Sequence, residues 1–533
     1  MNKIALAQID VKAGQPSINI DKILQTIADA KKAAVKTVIF PAEVIGGKYC
    51  GAAASQPAYL DECNNFAEQI ALASQDINVI FGNNGSTWLA KDQTLQPFTD
   101  TMIKLNDQQF ILETISEPYY KSYPAERIAD RCRTAIKNKL PLIAVNNTGI
   151  QNIGKTVSLF GGTSCLIDRN GKLRVLLPAL TESLTIIDID EINSLPVIPL
   201  PSADTIAEIY QAVRLGTEQF LMSTGIKKVV IGISGGIDSA VSAALYATIL
   251  PPENIYLVNL PSQFNSQITK DLAGQLAENL GCNYAVFPIG DSVNLTVSQL
   301  QTISFAHGSQ KENLTVSQLT AENIQARDRS SRVLAAIAAA VGGAFTCNAN
   351  KAETTIGYST MYGDGAGFFA ALADLWKYQI YELARYLNEK IFKREIIPQG
   401  TIDIQPSAEL SAEQDITAGK GDPLTYPYHD YLFRAFTEAQ PRVTPLELLQ
   451  WYQADIIDVK INCQPGLTKK LFPTTAQFIA DLERWWRLYQ GMAVAKRLQA
   501  PPILAVSKFP FGRFPELQNG VWFPQKYLEL KNK

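Results

Sequence analysis

The chain has 533 residues, 46% hydrophobic and 19% charged, with a net charge of −3. That length predicts at least two domains with separate cores, and the charge balance excludes the basic footprint of a nucleic-acid-binding protein. The longest apolar run, 13 residues at 333–345 with two glycines, is too short to cross a bilayer and predicts a buried helix.

In chain order, strand-like runs at 3–9, 37–40, 79–81, 142–145 and 163–167 alternate with helical stretches and predict a first domain over 1–190. Asp10 interrupts the N-terminus before a signal-like apolar stretch forms, and the odd, dispersed set of cysteines predicts reduced thiols in a cytoplasmic protein. Residues 149–156 spell a Walker pattern, but the sequence after Thr156 reads as strand, turn and strand. No helix would aim its N–H groups at a phosphate, so the match is read as accidental. Pro196, Pro199 and Pro201 mark 191–204 as an extended linker. A second domain, 205–533, opens with a helix at 203–223 and the strand before Ser234. A strand at 254–260, a helix at 267–280 and a strand at 284–288 follow. This β-α-β-α order predicts a parallel sheet with helices on both faces and a ligand beyond the carboxyl ends of its strands. The heptad Asn-Leu-Thr-Val-Ser-Gln-Leu occurs at 294–300 and again at 313–319, a local duplication within a connection.

The seven cysteines are scattered without a Cys-x-x-Cys pair, which predicts reduced thiols, and two histidines, His307 and His429, are too few for a His-rich metal site. Ser-Gly-Gly-Ile-Asp-Ser at 234–239 joins a β-branched run to an Ala-rich helix. Glycines allow close backbone approach to an anion, and the first helical N–H groups point at it. Asp238 in such a cradle calls for a cation, so the loop predicts Mg²⁺. Ser-Gly-Gly-x-Asp-Ser resembles the pyrophosphate loop of N-type ATP pyrophosphatases. Thr320 with Asn323 predicts a helix start at 320–329, where Arg327 and Arg329 oppose the helix dipole and so call for an anionic partner or a solvated face. The run 348–364 concentrates amides, hydroxyls, Lys351, Glu353 and Asp364, and reads as a binding loop after a strand at 344–347. Glu353 is the second carboxylate for Mg²⁺ beside Asp238; Lys377 meets either a phosphate or solvent.

Together the 234–239 loop, Glu-Asn-Ile-Gln-Ala-Arg-x-Arg at 322–329, Asn-Lys-x-Glu with Gly-Tyr-Ser-Thr-x-Tyr-Gly-Asp at 350–364, Asp-Leu-x-Lys at 374–377 and Pro-Ser-Ala-Glu-Leu at 406–410 resemble the NAD synthetase family. The resemblance implies adenylation of deamido-NAD by Mg²⁺-ATP and attack by ammonia. It implies Asp238, Glu353 and Lys377 as catalytic residues, with Mg²⁺ on Asp238 and Glu353. It places ATP on Ser234, Gly235, Gly236, Asp238 and Ser239, and substrate on Arg327, Asn348, Lys351, Tyr358 and Asp364. It further implies a homo-oligomer. Ala352 stands where the family often has Ser.

The first domain resembles the nitrilase, or carbon–nitrogen hydrolase, family through Lys-Ile-Ala-Leu-Ala-Gln at 3–8, Asn19, Val-Ile-Phe-Pro at 38–41 and the stretches 140–149 and 160–164. That family needs a Glu, a Lys and a nucleophilic Cys. Here Glu43 comes one place late after Phe40-Pro41, a shift that turns a strand side chain to the other face. The stretch that would carry Lys and Cys is missing between 98 and 118, and Lys121 fits a later lysine. Cys50 and Cys165 are read as structural thiols. The expectation is therefore an α/β chain: a shortened nitrilase-like αββα domain, then a Rossmann-like doubly wound parallel sheet of the adenine nucleotide α-hydrolase type. It uses ATP, Mg²⁺, deamido-NAD and ammonia, with no glutaminase activity of its own, no nucleic acid and no membrane. The alternatives are ammonia supplied by a separate glutaminase, a different acceptor carboxylate, and a non-catalytic nucleotide-binding scaffold.

Overall fold

The computed structural model describes residues 2–202, 205–414, 416–513 and 520–532. The chain divides into two compact units, 1–220 and 221–533.

The first unit contains β1 (Lys3–Gln8), α1 (Pro16–Lys32), β2 (Thr37–Ile39), α2 (Pro57–Leu72), β3 (Asn78–Asn83), β4 (Ser86–Lys91), β5 (Thr94–Pro97), β6 (Met102–Leu105), β7 (Gln108–Thr114), α3 (Tyr123–Asn138), β8 (Leu142–Val145), β9 (Thr148–Ile153), β10 (Thr156–Gly161), β11 (Cys165–Ile167), β12 (Leu173–Leu176) and β13 (Ser183–Asp188). One sheet runs β13-β1-β2-β3-β4-β5 and a second β12-β11-β8-β7-β6. Alternation along β1 sets the layering. Ile4 and Leu6 face Ile143, Val145 and Leu166 of the second sheet. Ala5 and Ala7 face Ile23 of α1 and Ala67 of α2. On the far side, Ile128 and Ala135 of α3 cover Ala144 and Ile167. The order is helix, sheet, sheet, helix, as expected. The Walker-like run is the antiparallel β9–β10 hairpin, with Ile153 opposite Thr156, and carries no helix behind it. Thr163 has a left-handed φ of 56°, so the expected strand at 163–167 begins only at Cys165.

The division between the units falls within α4 (Ile206–Thr224). Its expected first residue, Ala203, lies outside the described residues. The second unit continues with β14 (Val229–Gly232), α5 (Ile237–Ala247), β15 (Ile255–Asn259), α6 (Gln267–Leu280), β16 (Asn283–Val286), α7 (Gly290–Gln301), β17 (Ser304–His307), β18 (Gln310–Asn313), α8 (Gln318–Arg327), α9 (Ala335–Val341) and β19 (Ala344–Phe345). Then come α10 (Lys351–Ile356), α11 (Lys377–Tyr386), α12 (Gln399–Asp403) and α13 (Tyr426–Thr437). β16-β15-β14-β19 form a parallel sheet. Val230 and Val258 pack on Val293, Val333 and Leu334 at one face, while α5 and α6 lie against the other. After α13, further helices close a second core around Tyr428, Phe433, Leu482 and Trp485. No described helix is long and apolar enough to cross a membrane.

Two local expectations change. The helix expected to start at Thr320 starts at Gln318, because Ser317 caps it and accepts from Thr320 N at 3.2 Å. The binding loop expected at 348–364 contains α10, whose Asn350 and Glu353 form a reciprocal cap.

Candidate active site

The site is assembled at the carboxyl end of β14. Val229, Val230 and Ile231 are fully buried, all three pair with β15, and Val229 and Val230 also pair with β19, which fixes the register of the strand. The chain must then turn sharply into α5. Gly235 does this at φ +87°, and a Cβ there would lie 2.1 Å from the Thr269 carbonyl oxygen, so only glycine fits. Within the loop, Gly236 N donates to Ser234 Oγ at 3.2 Å and Ser239 Oγ donates to the Gly236 carbonyl at 3.0 Å. The first N–H groups of α5 open toward the same space, an anion-binding arrangement.

Two distant segments meet Asp238 on the first turn of α5. Asn350 Nδ2 donates to Asp238 Oδ1 at 3.1 Å and Asn350 Oδ1 accepts from Glu353 N at 3.1 Å, which joins the α5 and α10 starts. Lys377, the first residue of α11, is ion-paired with Asp238 Oδ2; its Nζ lies 3.9 Å from Glu353 Oε1 and 4.8 Å from the Tyr426 ring centroid. Burial opposes the charge of Lys377, but Asp238 and Glu353 outweigh it and hold its pKa above the ordinary value. Burial, then the neighbouring Asp238, pushes the Glu353 carboxyl up to about 8. Asp430 of α13 accepts from Tyr378 N at 2.9 Å and so secures the start of α11.

A cavity of about 250 Å³ is lined by Ser234, Asp238, Ser239, Asn348, Glu353, Tyr358 and Asp364, with Arg329. A second, of about 140 Å³, shares several of these and adds Gly236, Lys377, Glu409 and Asp422. Asn348 is held by its Nδ2 donating to the Gly232 carbonyl at 3.1 Å. Asp364 Oδ1 accepts from Thr360 N at 2.6 Å, and burial raises its carboxyl. Tyr358 OH donates to Asp422 Oδ1 at 3.2 Å, and burial raises Asp422 as well.

Two expected substrate residues lie elsewhere. Lys351 has no exposed surface; its Nζ is enclosed by Asp374 at 2.8 Å, Glu438 at 2.7 Å and Ser507 at 2.7 Å. Arg327 is on the exposed face of α8, donating to the Met361 carbonyl at 3.1 Å. Arg329, two residues on, lies past the end of α8 in a π-helical segment, 328–334, and reaches the cavity. It donates to the Leu260 carbonyl at 3.0 Å and to Asn265 Oδ1 at 3.2 Å, and burial pushes its pKa down to about 10. The residues missed in the sequence are Asn350, Arg329 as cavity wall, and Asp422. Asn-x-x-Glu at 350–353 was a readable capping signal, whereas nothing local marks Asp422.

The donor set fits a divalent cation completed by substrate. Asp238 and Glu353 supply two hard oxygen donors on the cavity wall. Among the described residues, no group of three His, Cys, Asp or Glu side chains is placed to hold a metal ion.

Residues 209–455 match the family described as NAD synthase. A curated relative, the glutamine-dependent NAD(+) synthetase of Acinetobacter baylyi, is 31% identical over 313 residues, which are 58% of this chain and 55% of that protein. The chain spans about half the length of the curated relatives it matches first. Two solved structures share the fold. The glutamine-dependent NAD+ synthetase of Acinetobacter baumannii in complex with ADP superposes at a TM-score of 0.66 and 23% identity, covering 96% of this chain and 97% of that one. That of Cytophaga hutchinsonii superposes at 0.77 and 17% identity, covering 100% of both. The chain is thus similar to the NAD synthase family over 209–455, and shares along its length the fold of glutamine-dependent NAD(+) synthetases.

Proposed function

We propose that the chain is an NAD synthetase, a ligase that amidates deamido-NAD at the expense of ATP. The observation that carries this reading is the meeting of Asp238, Glu353 and Lys377 at the mouth of the cavity formed by the 234–239 loop. The nicotinate carboxylate displaces pyrophosphate from the α-phosphorus of ATP and becomes an acyl-adenylate. Ammonia then forms the C–N bond at the acyl carbon, AMP leaves with the C–O bond electrons, and one proton is released. Ser234, Gly235, Gly236 and Ser239 line the phosphate side. Asp238 and Glu353 would hold Mg²⁺, which when bound offsets phosphate charge. Lys377 adds a fixed positive charge, and most of the rate gain comes from positioning and charge stabilisation. Arg329, Asn348, Tyr358 and Asp364 orient the nucleotide and the dinucleotide substrate. The domain assignment is 1–190 for the nitrilase-like part, 191–204 for the linker and 205–533 for the synthetase part.

The proposed nitrogen source is ammonia, although the curated relatives are named glutamine-dependent. The thiols of the first unit support this. Cys50 Sγ donates to the Gly46 and Gly47 carbonyls at 3.0 and 2.8 Å. Cys165 is fully buried and burial pushes its thiol up to about 12, the reverse of an activated nucleophile. Glu43 has a left-handed φ of 52° and accepts from Gly85 N at 2.7 Å, a turn contact. AMP and NAD formation with deamido-NAD and Mg²⁺-ATP, using ammonium or glutamine, tests both parts. Turnover with ammonium alone is expected. Equal turnover with ammonia-free glutamine removes the nitrogen assignment, and absence of AMP with either source removes the synthetase reading.

A further inference from the structure

Lys351, placed by its motif at the substrate, anchors a different arrangement. Its backbone N donates to the Leu375 carbonyl at 2.8 Å, and its Nζ donates to Ser507 Oγ at 2.7 Å and to the Phe509 carbonyl at 3.1 Å. Ser507 Oγ in turn donates to Asp374 Oδ1 at 2.8 Å. Asp374 Oδ2 accepts from Val506 N at 2.7 Å and Ser507 N at 2.6 Å. Arg434 Nε lies 3.5 Å from Glu438 Oε2, so two cations, Lys351 and Arg434, face two carboxylates, Asp374 and Glu438. The formal charges balance, with Lys351 and Asp374 fully buried and Glu438 and Arg434 at the partly exposed edge.

Its members sit directly behind the reactive groups. Lys351 precedes Glu353 by two residues on α10, and Asp374 precedes Lys377 by three residues at the entry to α11. The third corner, 506–509, lies beyond the segment matched to the synthase family, which ends at residue 455. A buried ion pair is weak support for stability, because apolar side chains of similar volume often serve as well. What charged, directional hydrogen bonds supply is fixed geometry.

We propose that Lys351, Asp374 and Ser507 form a positioning network that sets Lys377 and Glu353 against Asp238, making the C-terminal segment 503–509 part of the synthetase machinery. Its kinetic consequence rests on the function proposed above; its geometric consequence does not.

Ser507→Ala tests it with the least risk to folding, since it removes one hydroxyl, and Ser507→Thr restores that hydroxyl. In the full-length protein, Ser507→Ala is expected to lower kcat for AMP formation roughly ten- to a hundredfold, the range for lost supporting hydrogen bonds, with the KM for ATP little changed. Ser507→Thr is expected to recover most of the rate. A crystal structure of Ser507→Ala is expected to show Lys377 Nζ displaced from Asp238. Lys377 unmoved in that structure overturns the proposal whatever the rates. In an active enzyme, an unchanged kcat, or equal losses for Ala and Thr, overturns it too. A wild type that forms no AMP removes the function reading, and the Lys377 position alone then decides the network.

Discussion

At the scale of single residues, the site depends on side chains that would be poor choices for stability. Glu353 is buried beside Asp238, and its carboxyl is raised to about 8 from an ordinary 4.5. A raised acid stabilises the fold below its unfolded pKa and loses that contribution as pH rises through the folded value. The ligand-free wild type should therefore lose stability relative to Glu353→Gln between about pH 4.5 and about pH 8. Glutamine keeps the reciprocal cap with Asn350. Thermal melts are expected to show the variant above the wild type at pH 8 and a smaller gap at pH 5, while AMP formation falls roughly a hundredfold from lost charge stabilisation. Gly235 shows the opposite dependence. Gly235→Ala sets a Cβ 2.1 Å from the Thr269 carbonyl at φ +87°, and is expected to cost about 1–3 kcal/mol in urea denaturation and to weaken ATP binding. The glycine was legible in the motif. The choice between Arg327 and Arg329 was not, because both are basic and only the packing of the helix end and of the π-helical turn after it tells which one meets the cavity.

At the scale of elements, the duplicated heptad separates local sequence from context. At 294–300 it lies wholly inside α7; at 313–319 it ends β18, crosses a connection and enters α8. The first copy joins a helix already started at Gly290, where each added residue gains a hydrogen bond without a new nucleus. In the second copy, pairing of Asn313 with Ser304 keeps the start extended. The corresponding serines accordingly do different work. Ser298 Oγ donates back to the Leu295 carbonyl at 2.8 Å, while Ser317 Oγ accepts from Thr320 N at 3.2 Å as a cap. Ser317→Ala is expected to cost about 1 kcal/mol and Ser298→Ala within about 0.5 kcal/mol of nothing, measured by urea denaturation. The start of α10 is readable from Asn-x-x-Glu, although the polar density of 348–364 masks that capping pattern and favours a loop.

At the scale of the whole molecule, the proposed nitrogen source is tested against relatives that are named glutamine-dependent. Cys50→Ser preserves a donor toward the Gly46 carbonyl and is expected to leave ammonium-supported NAD formation within about twofold of wild type. A loss of glutamine-supported turnover in that variant would instead make Cys50 a nucleophile. The β-α-β-α spacing determined the parallel sheet, since short connections and right-handed crossovers admit few alternatives. The helix–sheet–sheet–helix layering of the first unit was expected from its resemblance to the nitrilase family, and the structure packs β1 between the two cores accordingly. The chemistry at 234–239 also belonged to the sequence, because glycine conformations, hydroxyl donors and a helix start are local properties. The sequence could not place Lys377 on Asp238, 139 residues away, or withdraw Lys351 from substrate to a buried pairing with Asp374. Those outcomes are pairings between segments remote in the chain, selected by burial and charge balance, and they exist only once the tertiary structure has brought the segments together.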